Sequence, residues 1–428
     1  MREHRDGLVV TAASAEGLER YEHAVHALLG WDGAALARFE SALEADPALA
    51  LAHAGAGVCH FLDERFAEAR AAMEGARAAV AAQSERERSH VEGLALLIGG
   101  EPADAERVMR EHLARYPRDL VIAQRLYFIW FWQGRCSEML ALTTELGRHA
   151  GDDGFLLGLH AFALEEADRF DEALIAAGRA LALNPRDAWA VHAYAHTLYE
   201  TAAFARGVDE LPPAIHPCTH LGYFRRHLLW HLALMHLSQG RVERARAMSR
   251  AVFERAPSSI AGNLHDSISL LWRLGLCGAD PGRERWAPFA TIAVQRLDRQ
   301  GLLFHAVHLA MALAAAREWT MAERQLGMLR ERVTRDRTGL VGDVVIPLVE
   351  GMHAFARGDH ARTIARIEPL RPRLVQIGGS RAQRDVFHDT LLEACFRAGD
   401  GERAHRLLAE RVVRRPDHYW LNRRLAPA

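Results

Sequence analysis

Three stretches of this 428-residue chain decide how it folds: GWDGAALARFESALEADP (30–47), GEPADAERVMREHLARYP (100–117) and DRFDEALIAAGRALALNP (168–185). Each opens on a turn residue and continues as an amphipathic helix. A small side chain stands where a second helix must cross, an apolar stripe follows, and a proline closes the unit because it cannot continue a helix. Pro117 and Pro185 are 68 residues apart (185 − 117), which is two periods of 34. Pro47, Pro257 and Pro416 mark further closures. The helices preceding such stretches also carry a small residue at the crossing: Gly57, Gly93, Ala161, Ala195, Ala233, Ala310 and Gly351. Strand signals are nearly absent, VGDVVIP (341–347) being the only β-looking run.

A 34-residue unit made of two antiparallel helices is the grammar of the tetratricopeptide repeat. The expected fold class is therefore all-α, a tetratricopeptide-type α-solenoid in which helix hairpins form a superhelix. Residues 1–428 read as one such array, with regular repeats over 1–200 and divergent repeats joined by long connectors over 201–428. The expected connectors are 204–226 (with Pro212, Pro213 and Pro217), 275–290 and 371–385. Long connectors in a solenoid tend to cover the binding face, which places the expected ligand site in the C-terminal half.

Composition narrows the chemistry. Half of the residues are hydrophobic and a quarter are charged, so a packed core is expected. A net charge of −2 gives no electrostatic case for nucleic acid or a membrane surface, and neither is expected as a partner. No lysine occurs, which removes Schiff-base chemistry and the phosphate-binding GxxxxGK[ST] loop. Cys59, Cys136, Cys218, Cys277 and Cys395 are scattered without a CxxC pair, so neither a zinc knuckle nor a disulfide framework is indicated. The N-terminus lacks a signal-peptide core and no 18-residue apolar run exists, so a cytoplasmic location is expected. The chain gives no reading of oligomeric state.

The first helix of each hairpin lines the inner face of such an array, and its groove positions recur at helical spacing. In AWAVHAYAHTLYE (188–200) these are Trp189, His192, His196 and Tyr199, and in RRHLLWHLALMHL (225–237) they are His227, Trp230 and His231. NLHDSISLLWRL (263–274) brings Asp266 or His265 and also Trp272, LLFHAVHLAMALAAA (302–316) brings His308 and His305, and RDVFHDTLLEA (384–394) brings Arg384, Asp385, Asp389 and Glu393. Equivalent early positions hold Phe128, Phe155 and Phe162 instead. Histidine can take and give a proton near neutral pH. The candidate catalytic set is therefore His192, His196, His227, His231, Asp266 and His308. Trp189, Tyr199, Trp230, Trp272, His305, Arg384 and Asp385 form the candidate ligand-binding set.

These side chains have structural readings too. A histidine under a helix crossing is commonly a hydrogen-bonded packing residue, and tryptophans fill cores. Ser380 and Gln383 spell a capping box, S-x-x-Q. The glycines before them, Gly378 and Gly379, offer a helix start that could hold an anion. His192/His196 and His227/His231 have the i, i+4 spacing of shared metal ligands, with Asp266 or His308 available as a third. No HExxH is present, and neither a metal nor any other cofactor is expected.

At these same residues the chain resembles the tetratricopeptide repeat protein 38 family. The likeness lies in DAWAVHAYAHTLYE (187–200), LLWHLALMHLSQGRVERA (228–245), HDSISLLWRL (265–274) and GGSRAQRDVF (378–387), and it extends over nearly the whole chain from TAASAEGLERYEHAVHALLGWDGAALARFE (11–40) onward. The resemblance implies the fold and carries no catalytic residues with it. Two functions follow from the residues themselves. One is a binding protein that recognises a peptide or small molecule in a groove lined by histidine, tryptophan and aspartate. The other is an enzyme doing histidine-based acid–base chemistry (hydrolysis, elimination or cyclisation), metal-assisted or not, on a small molecule in that groove. A chaperone-tail clamp is disfavoured by the missing lysines.

Overall fold

The computed structural model describes residues 2–3, 7–80, 83–416 and 418. Over these, twenty-two α-helices follow one another as antiparallel pairs. The turn inside every pair holds at least one positive-φ residue, the first of them being Trp31, Glu64, Gly100, Gly134, Asp168, Ala202, Gly240, Gly278, Arg317, Gly358 and Gly399. A chain that leaves one helix and re-enters another within two or three residues needs such a residue, which is why glycine holds six of the eleven positions. From Gly100 to Ala202 the left-handed residues recur every 34 positions (134 − 100, 168 − 134, 202 − 168), and afterwards the interval grows to 38 (240 − 202) and 41 (399 − 358). The fold class is all-α and of tetratricopeptide type, and the longer units after residue 200 follow from this spacing.

By contacts the chain divides into two compact units. Unit 1 comprises Met1–Trp130, Cys136–Tyr194 and Ala214–Arg225, and unit 2 comprises Phe131–Arg135, Ala195–Pro213 and Arg226–Ala428. In unit 1 the hairpin of Ala50–Leu62 with Phe66–Val80 shows why the crossing residue is small. A Cβ on Gly57 would lie 2.9 Å from Met73 Sδ. Phe39, Tyr127 and Phe162 fill the interior of this unit and are fully buried. Its aromatic centre is a mutually packed trio of Trp31, Trp189 and Phe224, with ring centroids 5.7, 4.8 and 5.5 Å apart.

Unit 2 is built on Ala261–Leu276, Leu303–Ala315, Ile346–Ala356 and Arg381–Arg397, whose apolar faces share one core around Ile268, Phe304, Val307, Leu348, Phe387 and Leu391. Gly351 repeats the small-residue rule there, since a Cβ would come 2.6 Å from Ile367 Cγ1. Several expectations need correction. VGDVVIP is helical, as Val341–Val345 leads directly into Ile346–Ala356. Its β-branched residues are chosen for core packing, and Val341, Val344 and Val345 are buried. The stretch read as a connector from 204 contains the helix Phe204–Ile215, which carries Pro212 and Pro213 in its second half. Each lacks the N–H that would donate to the carbonyl four residues earlier, so this helix gives up those two bonds near its end. Arg283–Gln295 and Glu368–Ile377 are likewise helical. The one β ladder among the described residues pairs Arg2–Glu3 with Val9–Val10. No described helix is long and apolar enough to cross a membrane.

Candidate functional site

The side chains singled out from the sequence are mostly interior ones, and most of them meet in unit 2. The helix Phe224–Ser238 carries His227 and His231 one turn apart, and Ala188–Glu200 delivers His196 against them. His231 Nε2 lies 3.2 Å from His227 Nε2, and the His196 and His231 rings are 4.4 Å apart. Asp266, on Ala261–Leu276, accepts a hydrogen bond from His227 Nδ1 at 2.8 Å. Trp230 forms one wall: its ring stacks on His227 at 5.5 Å and meets His231 edge-on at 4.9 Å. The indole is fixed by donation to Ser269 Oγ at 3.1 Å. His196 and His231 are fully buried, whereas the His227 side chain keeps 13% of its surface exposed. Burial, then neighbouring cationic and imidazole groups (His227 foremost for His196, His196 for His231), pushes both well below the usual histidine range. At neutral pH these two rings are uncharged bases with lone pairs to offer.

A second row of imidazoles starts at His265, next to Asp266 on Ala261–Leu276. Arg296 Nε donates to His305 Nε2 at 3.0 Å. A guanidinium is never an acceptor, so His305 is neutral there and its Nδ1–H donates to His265 Nε2 at 2.7 Å. The remaining proton of His265 then sits on Nδ1, which has no hydrogen-bond partner among the described residues. His308 donates from Nδ1 to the Phe304 carbonyl at 2.9 Å. Burial lowers His305 to about 3, with Arg296 adding to the effect, and His308 to about 4. Trp272 belongs to the core: its indole donates to Thr390 Oγ1 at 2.9 Å, and Phe355 packs on its ring.

Asp385, a ligand-binding candidate, borders a cavity of about 210 Å³ that Arg384 does not line. It lies among Glu368–Ile377, Arg381–Arg397 and Gly401–Arg414, and is lined by Arg371, Asp385, His388, Glu410, Arg411, Arg414, Arg415 and the leucines 391, 392 and 407. Asp385 pairs with Arg415 and lies 3.5 Å from Arg411. Burial opposes its charge, but Arg415 and Arg411 outweigh burial and hold the carboxyl well below the usual range. Burial brings His388 down to about 4, so this wall residue is neutral. Arg415 also lies 4.6 Å over the Tyr199 ring, and burial lifts that phenol to about 12. From the cavity a polar thread runs inward. Arg411 contacts Asp389 at 2.8 Å, Asp389 faces Arg273 at 3.6 Å, and Arg273 lies 5.6 Å over Trp230 beside the histidines. Arg384 is turned to the Gly379 carbonyl. Gly378 and Gly379 press on the Trp132 backbone and the Phe304 ring, so the helix start they form is a packing contact. The capping box is present, with Gln383 N donating to Ser380 Oγ and Ser380 N to Gln383 Oε1.

Two candidates belong to unit 1. His192 packs against Trp189 at 4.5 Å, Phe162 at 5.0 Å and Phe224 at 5.5 Å, and both His192 and Trp189 are buried in that aromatic centre. The same unit holds a carboxylate–histidine knot that sequence reading missed. Asp119 Oδ2 accepts from Arg86 Nη1 at 2.7 Å, His90 Nδ1 at 2.9 Å and His112 Nε2 at 3.1 Å, and His112 Nδ1 meets Ser89 Oγ at 2.7 Å. The arginine-lined cavity was missed as well. Two of its four arginines come from an outer helix, Gly401–Arg414, whose polar spacing looks like that of any solvated face.

No protein-family model matches the chain. The hairpins define a tetratricopeptide-type protein, and similar solved structures include the human IFIT1 dimer with m7Gppp-AAAA (13% identity over 85% of this chain and 89% of that chain, TM-score 0.42). The human IFIT1 dimer with PPP-AAAA aligns at 13% identity over 100% of this chain and 98% of that chain, again with a TM-score of 0.42. The TPR domain of P58(IPK) aligns at 14% identity over 80% and 98%, with a TM-score of 0.21. The expectation of no nucleic-acid partner is corrected by these structures, since IFIT1 is seen there with m7Gppp-AAAA and PPP-AAAA. A charge sum over a whole chain excludes no such partner, because the local field of clustered side chains sets recognition.

Proposed function

We propose that this chain is a tetratricopeptide-type binding protein whose C-terminal half takes up a small molecule that presents a carboxylate or phosphate. The observation that carries the reading is the cavity beside Asp385. Four guanidiniums (Arg371, Arg411, Arg414 and Arg415) face it against two carboxylates, Asp385 and Glu410, in a volume of about 210 Å³. Planar guanidiniums recognise such anions by paired hydrogen bonds. The volume is small beside the roughly 300–1,000 Å³ of drug-sized sites, which suits a compact acidic ligand. Behind the cavity, Tyr199 packs under Arg415, and Arg273 links Asp389 to Trp230 beside the histidines, while Arg384, Trp272 and His305 do not line it. We further propose membership of the tetratricopeptide repeat protein 38 family, on the ordered motifs from 187 to 387, and residence in the cytoplasm.

The test is calorimetric titration of the full chain with inorganic phosphate and with a short dicarboxylate. Arg411 and Arg415 are nearly enclosed, so the informative variants are Arg371→Gln (paired with Glu410) and Arg414→Gln (its Nε 3.1 Å from Glu200), whose side chains are 29% and 37% exposed. Each is expected to weaken binding about tenfold, the effect of losing one charge-assisted hydrogen bond of about 1.5 kcal/mol. No heat with either anion, or affinities unchanged in both variants, removes the proposal. A second reading, acid–base chemistry, draws support from one feature: the His227–Asp266 pair is a solvent-reaching imidazole oriented by a buried carboxylate. His196, His231 and His308 then serve as packing or relay groups around it, and His192 stays a packing residue of unit 1.

A further inference from the structure

We propose that His196, His227 and His231 form a binding site for one divalent transition-metal ion of the zinc type. One ring nitrogen from each of the three lies within 4.8 Å of the others. The spacing inside this group is that of shared ligands. Two imidazole nitrogens bound at about 2.0–2.1 Å to a tetrahedral ion stand about 3.3 Å apart, and His227 Nε2 and His231 Nε2 are separated by 3.2 Å.

The protonation pattern points the same way. Asp266 accepts from His227 Nδ1 at 2.8 Å, which fixes the tautomer so that the Nε2 lone pair faces His231. This is the carboxylate–histidine–metal arrangement, in which the outer carboxylate orients the ring and raises its basicity. In the metal-free protein a proton must lie between the two Nε2 atoms, and a bound cation takes its place. Trp230, stacked on one imidazole and edge-on to the other, screens the group from water. Nitrogen ligands without carboxylate in the inner set select zinc and its first-row neighbours over calcium or magnesium. Three protein ligands leave a fourth tetrahedral position for a further ligand. This site is separate from the arginine-lined cavity, and either proposal stands without the other.

Three features favour these histidines over the Asp119 group of unit 1. Asp119 is already saturated by Arg86 and two imidazoles, a guanidinium would repel an incoming cation, and His112 spends its second nitrogen on Ser89.

The experiment uses the full chain, stripped with a chelator and titrated with Zn²⁺ by calorimetry and with Co²⁺ by visible absorption. The expected result is one ion per chain, with the intense visible bands of four-coordinate cobalt. His227→Gln and His231→Gln should each abolish the bands, and Asp266→Asn should weaken affinity about 10- to 100-fold while the far-ultraviolet dichroism stays unchanged. His90→Gln should leave stoichiometry and affinity as in the parent chain. Failure of the stripped parent chain to take up either ion overturns the proposal, whatever the variants do. So does metal uptake that persists in a folded His227→Gln chain, a substitution that this partly exposed position accommodates.

Discussion

Asp119 in unit 1 and Asp266 in unit 2 are both buried carboxylates with histidine at hydrogen-bond distance, and they end in opposite situations. One oxygen of Asp119 gathers Arg86, His90 and His112, so a positive guanidinium settles its charge. Burial opposes ionisation of Asp119, yet His90 and His112 overcome it and hold the carboxyl well below the usual range. Asp266 receives one imidazole, His227, and its second oxygen has no hydrogen-bond partner among the described residues. Beyond His227 the chain of contacts passes from ring to ring. The first cluster is closed and serves the fold. The second reaches solvent at His227 and has no guanidinium hydrogen-bonded to its carboxylate, an arrangement with room for chemistry.

Acid should expose this contrast most strongly. An unfolded histidine titrates near 6.5, whereas His308 and His388 are held to about 4 and His305 to about 3 by burial. Above pH 6.5 neither state binds the proton, and these groups leave stability untouched. As pH falls from there toward 4, the unfolded chain takes up protons that the folded chain refuses. Stability should therefore drop by about 1.4 kcal/mol per pH unit for each such imidazole, several kcal/mol in all. His90 in unit 1 adds to the loss in the same sense, since burial also lowers it. Urea denaturation at pH 7, 6, 5 and 4 measures this, and a flat profile would show that the imidazoles are not held neutral by their surroundings.

Next in size is the difference between the two carboxylates. Asp119→Ala strands Arg86, only 6% exposed, without a counter-ion and should cost about 3–5 kcal/mol. Asp266→Asn strands no cation, and the amide oxygen still accepts from His227, so the loss should stay near 1 kcal/mol. Equal losses at the two positions, read from denaturation midpoints, would erase the distinction between a closed and an open cluster. The smallest effect tests local structure alone. Ser380→Ala removes the side-chain acceptor of a capping box and should cost about 1 kcal/mol without touching either cluster.

Much of this protein was legible in its residues, unevenly so. The hairpins announced themselves because small residues at crossings and prolines at closures recur with the helical and 34-residue periods, as Gly57 against Met73 shows. Ser380 with Gln383 spelled out a cap that the structure contains. His227 and His231 were legible as a pair because one turn of helix places them on the same face. The exposure of these groups was not legible. Helical spacing says which face a ring shares and says nothing of whether that face meets water or another helix. VGDVVIP misled for a related reason, as its valines answer to the core that they enter rather than to a strand.

By itself, then, the sequence determined the repeating unit, the regular hairpins before residue 200 and the absence of lysine chemistry, all of which depend on neighbours within one or two turns. Only the tertiary structure decided which side chains meet. His265 reaches His305 across 40 residues, Trp272 reaches Thr390 across 118, and Arg415 reaches Glu200 across 215. The physical reason is that periodicity constrains spacing along a helix, whereas a buried polar partner is selected by packing and by the cost of leaving a donor unpaired, and both are settled between helices that are distant in the chain.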